Sequence, residues 1–394
     1  MSAEPWADWI PGVLSSNQTS QLFDQGFIWR DTGPREIDPS SFDLHLGGQG
    51  YKLTRGSVKP FQSSKSYLDY LQDSSGSGAE VIEPSGDGIF PVLQFGTPYV
   101  FSIQETLHPD LLRSNIHGRA TARSSVGRMD VLARLIVDGM DMYDGFAPLE
   151  KLRGVMFVEV ISNTFQVRVK VGEPLSQLRL FVADPKYSLI SGKDYFKIIF
   201  DGSPRADEFL SVDLDATPIA GFPSSAFCAC RDIERNQSLD PIDLWGKGPG
   251  QKPDPTPYFD RISAKHDRLI IKKQDYFYLL RSKELLSVPN SIAVYARATD
   301  EALGEMRIHY AGFVHPWFGR TPNHEKKGTP LIFEVRGHAT DVSLKHEEKL
   351  ARLELYRMSE PAPYQKSPYG DQKLALSNFF APFPDQVSAN SLNS

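Results

Sequence analysis

Two cysteines, Cys228 and Cys230, are all that this 394-residue chain carries. A single residue separates them, so they cannot staple a fold, and a disulfide framework is excluded. The pair is also too tightly spaced for a Cys-x-x-Cys knuckle. No His-Glu-x-x-His run occurs, and the one His-x-Glu, His346-Glu347-Glu348, lacks the Pro-Cys-x-x-Cys that completes a zinc-deaminase signature. Protein-bound zinc is therefore not expected, and any hydrolytic chemistry must activate water with side chains. Gly-x-Ser-x-Gly, Gly-x-Gly-x-x-Gly and the phosphate-binding loop are missing as well, which removes the common serine-hydrolase, dinucleotide and NTPase readings. No apolar run approaches the ~18 residues of a membrane span. The start, MSAEPWADWIPGVLSS, has no basic stretch followed by an apolar one, so a secretory leader is not expected. Few cysteines and no leader imply a reducing, cytoplasmic compartment. Net charge is 43 − 49 = −6 with no basic cluster, which argues against a nucleic-acid surface while leaving room for a local basic pocket.

Hydrophobic residues make up 40% and charged residues 23%, ordinary for a globular protein, and the length predicts two or three domains. Thirty glycines and 29 prolines make the chain turn-rich, which points to β structure. Phe165, Val167, Val169 and Val171 alternate with polar residues, as do Leu178 and Leu180 with Gln177 and Arg179, a strand period of two. Gly88 to Ile103 is strand-like around a Gly96-Thr97-Pro98 turn. Short helical patterns lie near Ser20–Gly26 and Pro109–Arg113. Ser74–Gly88 and residues 245–258 read as irregular, the first a surface insertion and the second a connector, and the tail from Pro384 is polar.

An internal repeat organises the rest. Phe157-Val158-Glu159-Val160 recurs as Ile332-Phe333-Glu334-Val335, and Glu173-Pro-Leu-Ser-Gln-Leu-Arg-Leu-Phe181 recurs as Glu348-Lys-Leu-Ala-Arg-Leu-Glu-Leu-Tyr356. Both offsets are 175 (332 − 157 and 348 − 173). Two related β-rich domains follow, residues 1–200 and 201–394.

The sharpest motif is Ala122-Arg123-Ser124-Ser125-Val126-Gly127-Arg128, which should leave a strand and enter a short helix. Two hydroxyls and two guanidiniums in seven residues suit a phosphorylated ligand, because Arg pairs phosphate oxygens in bidentate fashion. Alone, the same residues also read as an N-cap with surface ion pairs. The neighbouring sequence extends the pattern. Ile37-Asp38-Pro-Ser-Ser-Phe-Asp43-Leu-His-Leu-Gly47 precedes the motif and Phe157-Val-Glu-Val160 follows it. His309-Tyr-Ala-Gly-Phe-Val-His-Pro-Trp-Phe-Gly319 and Tyr369-Gly-Asp-Gln372-Lys-Leu-Ala-Leu-Ser377 come in the second half. This order resembles the dCTP deaminase branch of the trimeric dUTPase-like family, in its long, tandem form. The landmarks span roughly Ile37 to Phe380.

The resemblance implies a mainly β protein of two tandem dUTPase-like distorted, jelly-roll-like barrels with short helices. It also implies sites between neighbouring barrels, and hydrolytic deamination of dCTP to dUTP and ammonia without zinc, feeding thymidylate synthesis. The triphosphate would bind as its Mg2+ complex. One carboxylate can shuttle the protons, and the candidates are Glu334 and, in reserve, Glu159, each flanked by apolar residues on a strand. The halves have lost complementary motifs. The second has Arg297-Ala-Thr-Asp in place of the Ser-Ser-Arg motif, and the first lacks the Ala-Gly-Phe hairpin. A composite site is therefore expected. In it Ser124 and Arg128 hold the water, Arg123 and Ser125 contact the nucleotide, and Glu334 acts with the Tyr310, Ala311 and Gly312 backbone. Tyr369, Gln372, Lys373 and Ser377 form a lid. His315 stands where the family hairpin has Asp, and Trp317 replaces a Gly, which is expected to narrow the pocket. Asp138 or Asp141 would have to serve a rival dUTP pyrophosphatase or bifunctional reaction, and a degenerate nucleotide-binding regulator is the non-enzymatic alternative. The expected partners are dCTP, dUTP and dTTP, with a homo-oligomer, trimeric or dimeric, and neither nucleic acid nor membrane.

Overall fold

A computed structural model describes residues 4–385 except 31, 63–64, 201–206, 231–237, 247, 249, 274–275, 299–305, 309–311, 324, 326, 338 and 367–371. Each half builds one ten-stranded, mainly antiparallel sheet among these residues. The first half runs α1 (Ser16–Asp24), β1 (Ile37–Asp38), β2 (Ser41–Leu53), α2 (Tyr67–Gln72), β3 (Tyr99–Ile103), α3 (Pro109–Arg113), β4 (Ile116–Ala122), α4 (Ser124–Gly127), β5 (Val131–Val137), β6 (Gly145–Phe146), β7 (Met156–Ser162) and β8 (Pro174–Val182). The second runs α5 (Lys193–Ile199), β9 (Phe209–Asp213), β10 (Ala226–Cys230), β11 (Asp260–Ile262), β12 (Tyr276–Leu286), β13 (Ile292–Ala298), β14 (Met306–Ile308), β15 (Gly312–Val314), β16 (Thr329–Gly337) and β17 (Lys349–Arg357). Strand order is β6-β4-β8-β2-β3-β7-β5 in the first sheet and β11-β10-β12-β9-β17-β13-β15 in the second, where β16 joins through β12 and β14. Both sheets are mainly β and curled, as the composition and the resemblance imply. No helix among the described residues is long and apolar enough to cross a membrane.

The 175-residue offset is visible in the elements: β8 and β17 begin at Pro174 and Lys349 and end at Val182 and Arg357. The helical patterns appear as α1 and α3; α1 opens on a Ser15–Gln18 capping box. Other expectations shift. Within Ser74–Gly88, Ala79–Ile82 pairs with β2 instead of looping freely. The alternating run from Phe165 yields only Val167–Arg168, parallel to Ile242–Asp243. Phe196, Ile199 and Phe200 sit in the second core with Leu210, Leu280 and Leu353, so the linker helix belongs to the second half.

The halves share buried surface, and this sharing builds the site. On β8, Leu178 and Leu180 enter the first core, as alternation requires. Gln177 and Arg179, on the polar face of the pattern, are buried rather than solvated: Gln177 is bonded to Ser41 and Thr121 of its own half, and Arg179 reaches Val294 O and Phe313 of the second. β16 works in reverse. Phe333 and Val335 enter the second core, while Ile332, Glu334 and Arg336 share the opposite face and meet the first half. The N-terminus adds a parallel bridge from Val13 to Met358, and the Gln18 side-chain amide donates to Ser359 Oγ at 2.9 Å.

Candidate active site

β4 ends at Ala122 and α4 begins at Ser124, the strand-to-helix step that the motif predicts. Arg123 is the N-cap residue; its guanidinium, a donor only, makes no cap bond and is free of the turn to reach the cavity wall. The single turn is closed by Val126 and Gly127 N–H donating to Arg123 O and Arg128 N–H donating to Ser124 O. It projects into a cavity of about 330 Å³ between the halves. From the first half Arg123, Ser124, Ser125 and Arg128 line it, and from the second Glu334, Gly312 and His315. Gln372 closes it from the tail. The two half-motifs therefore meet within one chain.

Glu334 and α4 are in close contact. A Cβ on Gly127 would stand 2.5 Å from Glu334 Oε2 and 2.8 Å from Oε1, so glycine leaves the space that the carboxylate uses. Burial pushes the Glu334 carboxyl up to about 8; Arg128 opposes the shift and Asp130 adds to it. Arg128 is itself buried. It donates to Gln372 Oε1 at 2.6 Å and to Leu376 O at 3.3 Å. Ser124 is half-buried on the cavity wall. Ser125 is buried, and its carbonyl accepts from Ser377 Oγ at 2.7 Å. Gln372 also donates to Pro330 O at 3.0 Å, so the tail is pinned to both halves. Ser377 thus acts on the backbone of α4 outside the cavity, and Lys373 is exposed and does not line it. Tyr310, Ala311 and Tyr369 lie outside the described residues.

Arg123 spans the rim and pairs with Asp43 at 3.4 Å, whose carboxyl burial pushes well above its ordinary range. His315 is hydrogen-bonded through Nδ1 to Ser40 Oγ at 2.9 Å and faces Asp38 at 3.8 Å. Burial lowers it to about 4, Arg179 adds to the fall and Asp38 opposes it, so the ring is neutral at pH 7. The fully buried Arg179 holds this corner by donating to Ser40 O at 3.1 Å and Val294 O at 2.9 Å. Its guanidinium lies 4.0 Å from the Phe313 ring centroid. Trp317 does not narrow the cavity. Its residue adopts the positive φ of 71° that a glycine would tolerate, and the indole turns away to donate to Ala362 O at 2.9 Å.

Glu159 occupies the repeat-related place on β7 but does not line the cavity. It accepts from Ser57 Oγ and from Tyr143 OH at 3.2 Å, and Tyr143 lies under the Arg134 guanidinium at 3.8 Å. The segment around Ser57 and α2 thus covers the first half's own strand Glu. Asp138 is likewise committed, to Tyr67 N–H and Arg153, and neither it nor Asp141 lines the cavity. The sequence reading missed Asp38, Gln177, Arg297 and Asn378, all of which line it. Asp38 and Arg297 had a visible signal: Asp38 stands in the Ile37–Gly47 landmark, and Arg297 at the second half's counterpart of the Ser-Ser-Arg motif.

Comparison with known proteins follows this geometry. Residues 10–184 match the family model for the 2'-deoxycytidine 5'-triphosphate deaminase N-terminal domain, and residues 200–380 match that for its C-terminal domain. A crystal structure of 2'-deoxycytidine 5'-triphosphate deaminase from Agrobacterium tumefaciens superposes with a TM-score of 0.75 at 24% identity. The match covers 89% of this chain and 97% of that one, and it establishes likeness of fold. A search of curated proteins found no match.

Proposed function

The chain belongs to the 2'-deoxycytidine 5'-triphosphate deaminase family, and from that premise we propose that its inter-half cavity hydrolyses the C4 amine of dCTP to give dUTP and ammonia without protein-bound zinc. The observation that carries the reading is Glu334, buried against α4 with its carboxyl raised to about 8 beside Arg128. A group poised there gives and takes a proton near neutral pH at similar cost. Ser124 and Glu334 hold a water against C4. As its oxygen bonds to C4, one of its protons passes by way of Glu334 to the ring nitrogen N3. Glu334 then takes the remaining hydroxyl proton and delivers it to the amine. The C4–N bond breaks, ammonia leaves and the C4 carbonyl forms, so atoms balance as dCTP plus water giving dUTP plus ammonia. Arg128 keeps the ionised form of Glu334 accessible, and Arg123 and Arg297 are the cations for the phosphates. Mg2+ enters with the triphosphate as part of the substrate.

The supporting chemistry is the donor set. The cavity wall offers one imidazole, His315, already bonded to Ser40, and no thiol among the described residues. The one group of converging acidic and His side chains among them is Asp213, Asp215 and His346, none of which lines the cavity.

Purified protein incubated with dCTP and Mg2+ is expected to release ammonia and dUTP. Turnover should survive a zinc-selective chelator and fall when EDTA removes Mg2+. Pyrophosphate as a product would favour the bifunctional alternative, and binding without turnover the regulator. The kcat/KM profile should rise with pH and level off near 8, where Glu334, which takes the water's proton, becomes ionised. dTTP is expected to compete for the same cavity. We further read the chain as two tandem barrels and a cytoplasmic enzyme that assembles as a homo-oligomer, trimeric before dimeric, with light scattering as the check.

A further inference from the structure

We infer that Asp130, with Arg336 and Thr164, is a positioning unit that holds Glu334 against the α4 turn from across the two halves; this rests on the deaminase reading. Asp130 lies two residues past Arg128, and Arg336 lies two residues past Glu334 on the same face of β16. The pair is buried, with Asp130 and Thr164 at 0% exposure. Arg336 Nε donates to both Asp130 oxygens, at 3.2 and 3.0 Å, and Nη2 donates to Asp130 Oδ2 and to Thr164 Oγ1, the latter at 2.7 Å. The Thr164 hydroxyl donates back to Asp130 Oδ2 at 2.6 Å. A guanidinium and a carboxylate joined by this fork lose distance and angle freedom together.

The backbone supports the same role. Asp130 has a φ of 57°, in the left-handed region that glycine occupies without cost. Its N–H donates to Gly127 O at 2.8 Å and its carbonyl accepts from Asn163 N–H at 3.1 Å. A strained site that keeps a carboxylate points to a use for the carboxylate. The use is geometric, since one end of the bridge is continuous with Ser124–Arg128 and the other with Glu334. It is also electrostatic, since Asp130 helps Glu334 keep its proton. The other charged or titratable groups facing Glu334 are Arg128 from α4, and, on the cavity wall, Arg123, Asp38, Arg297 and His315.

The test is a cycle of Asp130→Asn, Arg336→Gln and the double variant, with kcat, KM and the pH profile for dCTP, and with the Glu334 carboxyl titrated by carbon-13 NMR in the absence of substrate. Asp130→Asn removes the carboxylate charge that faces Arg336, so the Glu334 titration should move down by about one pH unit. Arg336→Gln removes the cation that faces Asp130, so it should move up. In the double variant the titration returns toward that of the wild type. There kcat stays about 10- to 100-fold low, the loss typical of a supporting partner, with KM within about threefold. A purely structural bridge would lower Tm in all three without opposing shifts, and that result overturns the inference. Should either single variant not fold, the double variant, which buries no unpaired charge, decides alone. Wild-type kcat in it overturns the inference. The titration needs no turnover, so it stands even if dCTP is not the substrate.

Discussion

Glu334→Gln is expected to lower dCTP turnover by about three orders of magnitude while Glu159→Gln leaves it within about threefold. Both carboxylates are buried, both are raised by desolvation, and both sit at the same place in the repeat. They differ in what faces them. Glu334 looks into the cavity across from Ser124 and Arg128, whereas Glu159 is hydrogen-bonded to Ser57 and Tyr143 inside its own half. A carboxyl already committed to two hydroxyls under a covering segment has no access to substrate. The same substitution should stabilise the fold. Glu334 is protonated in the folded chain up to about pH 8 but ionises near 4.5 when unfolded. Between those values the folded state holds one more proton, so stability falls as pH rises, and Gln removes that fall. The Tm gain of Glu334→Gln over the wild type should be small at pH 5 and grow toward pH 8. Loss of activity from Glu159→Gln with full activity in Glu334→Gln would reverse the assignment, and a Tm gain independent of pH would refute the buried acid.

Gly127→Ala is expected to cost about 100-fold in kcat with little or no loss of Tm. Gly127 sits in a helical turn with no positive φ, so the backbone accepts alanine, and helix propensity favours it by about 1 kcal/mol. The cost falls on the neighbour. The new methyl would stand 2.5 Å from Glu334 Oε2, and the end of a flexible side chain yields before the packed turn does. The carboxylate would swing by about an ångström from its place across from Ser124, a displacement that costs on the order of 100-fold in the proposed reaction. A drop in activity without a drop in melting temperature separates this from ordinary overpacking. Wild-type kcat in Gly127→Ala would mean that Glu334 does not need the position described here.

Several features of the site were open to sequence reasoning because they are local or repeated. The 175-residue repeat, the strand-to-helix step at Ser124 and the complementary losses in the two halves all lie in contiguous stretches, and together they led to a composite site. Lys373, expected in the lid, is exposed and does not line the cavity, and a basic residue in a tail gives no indication of which way it points. Trp317 was misjudged for a related reason: its unusual φ turns the indole out of the pocket. Gln177 and Arg179 have the period of a solvated strand face, and no local pattern shows that Arg179 reaches Val294 and Phe313 of the other half.

The sequence by itself determined the fold class, the duplication and several of the residues that line the cavity, because alternation, motif order and repeat are properties of neighbours along the chain. Only the tertiary structure decided which strand Glu meets Ser124 and Arg128, that Gly127 makes room for it, and that Asp130 and Arg336 pair across the halves beside it. These are contacts across some 200 residues of chain between Asp130 and Arg336. Their energies depend on burial by the other half, which no local pattern encodes.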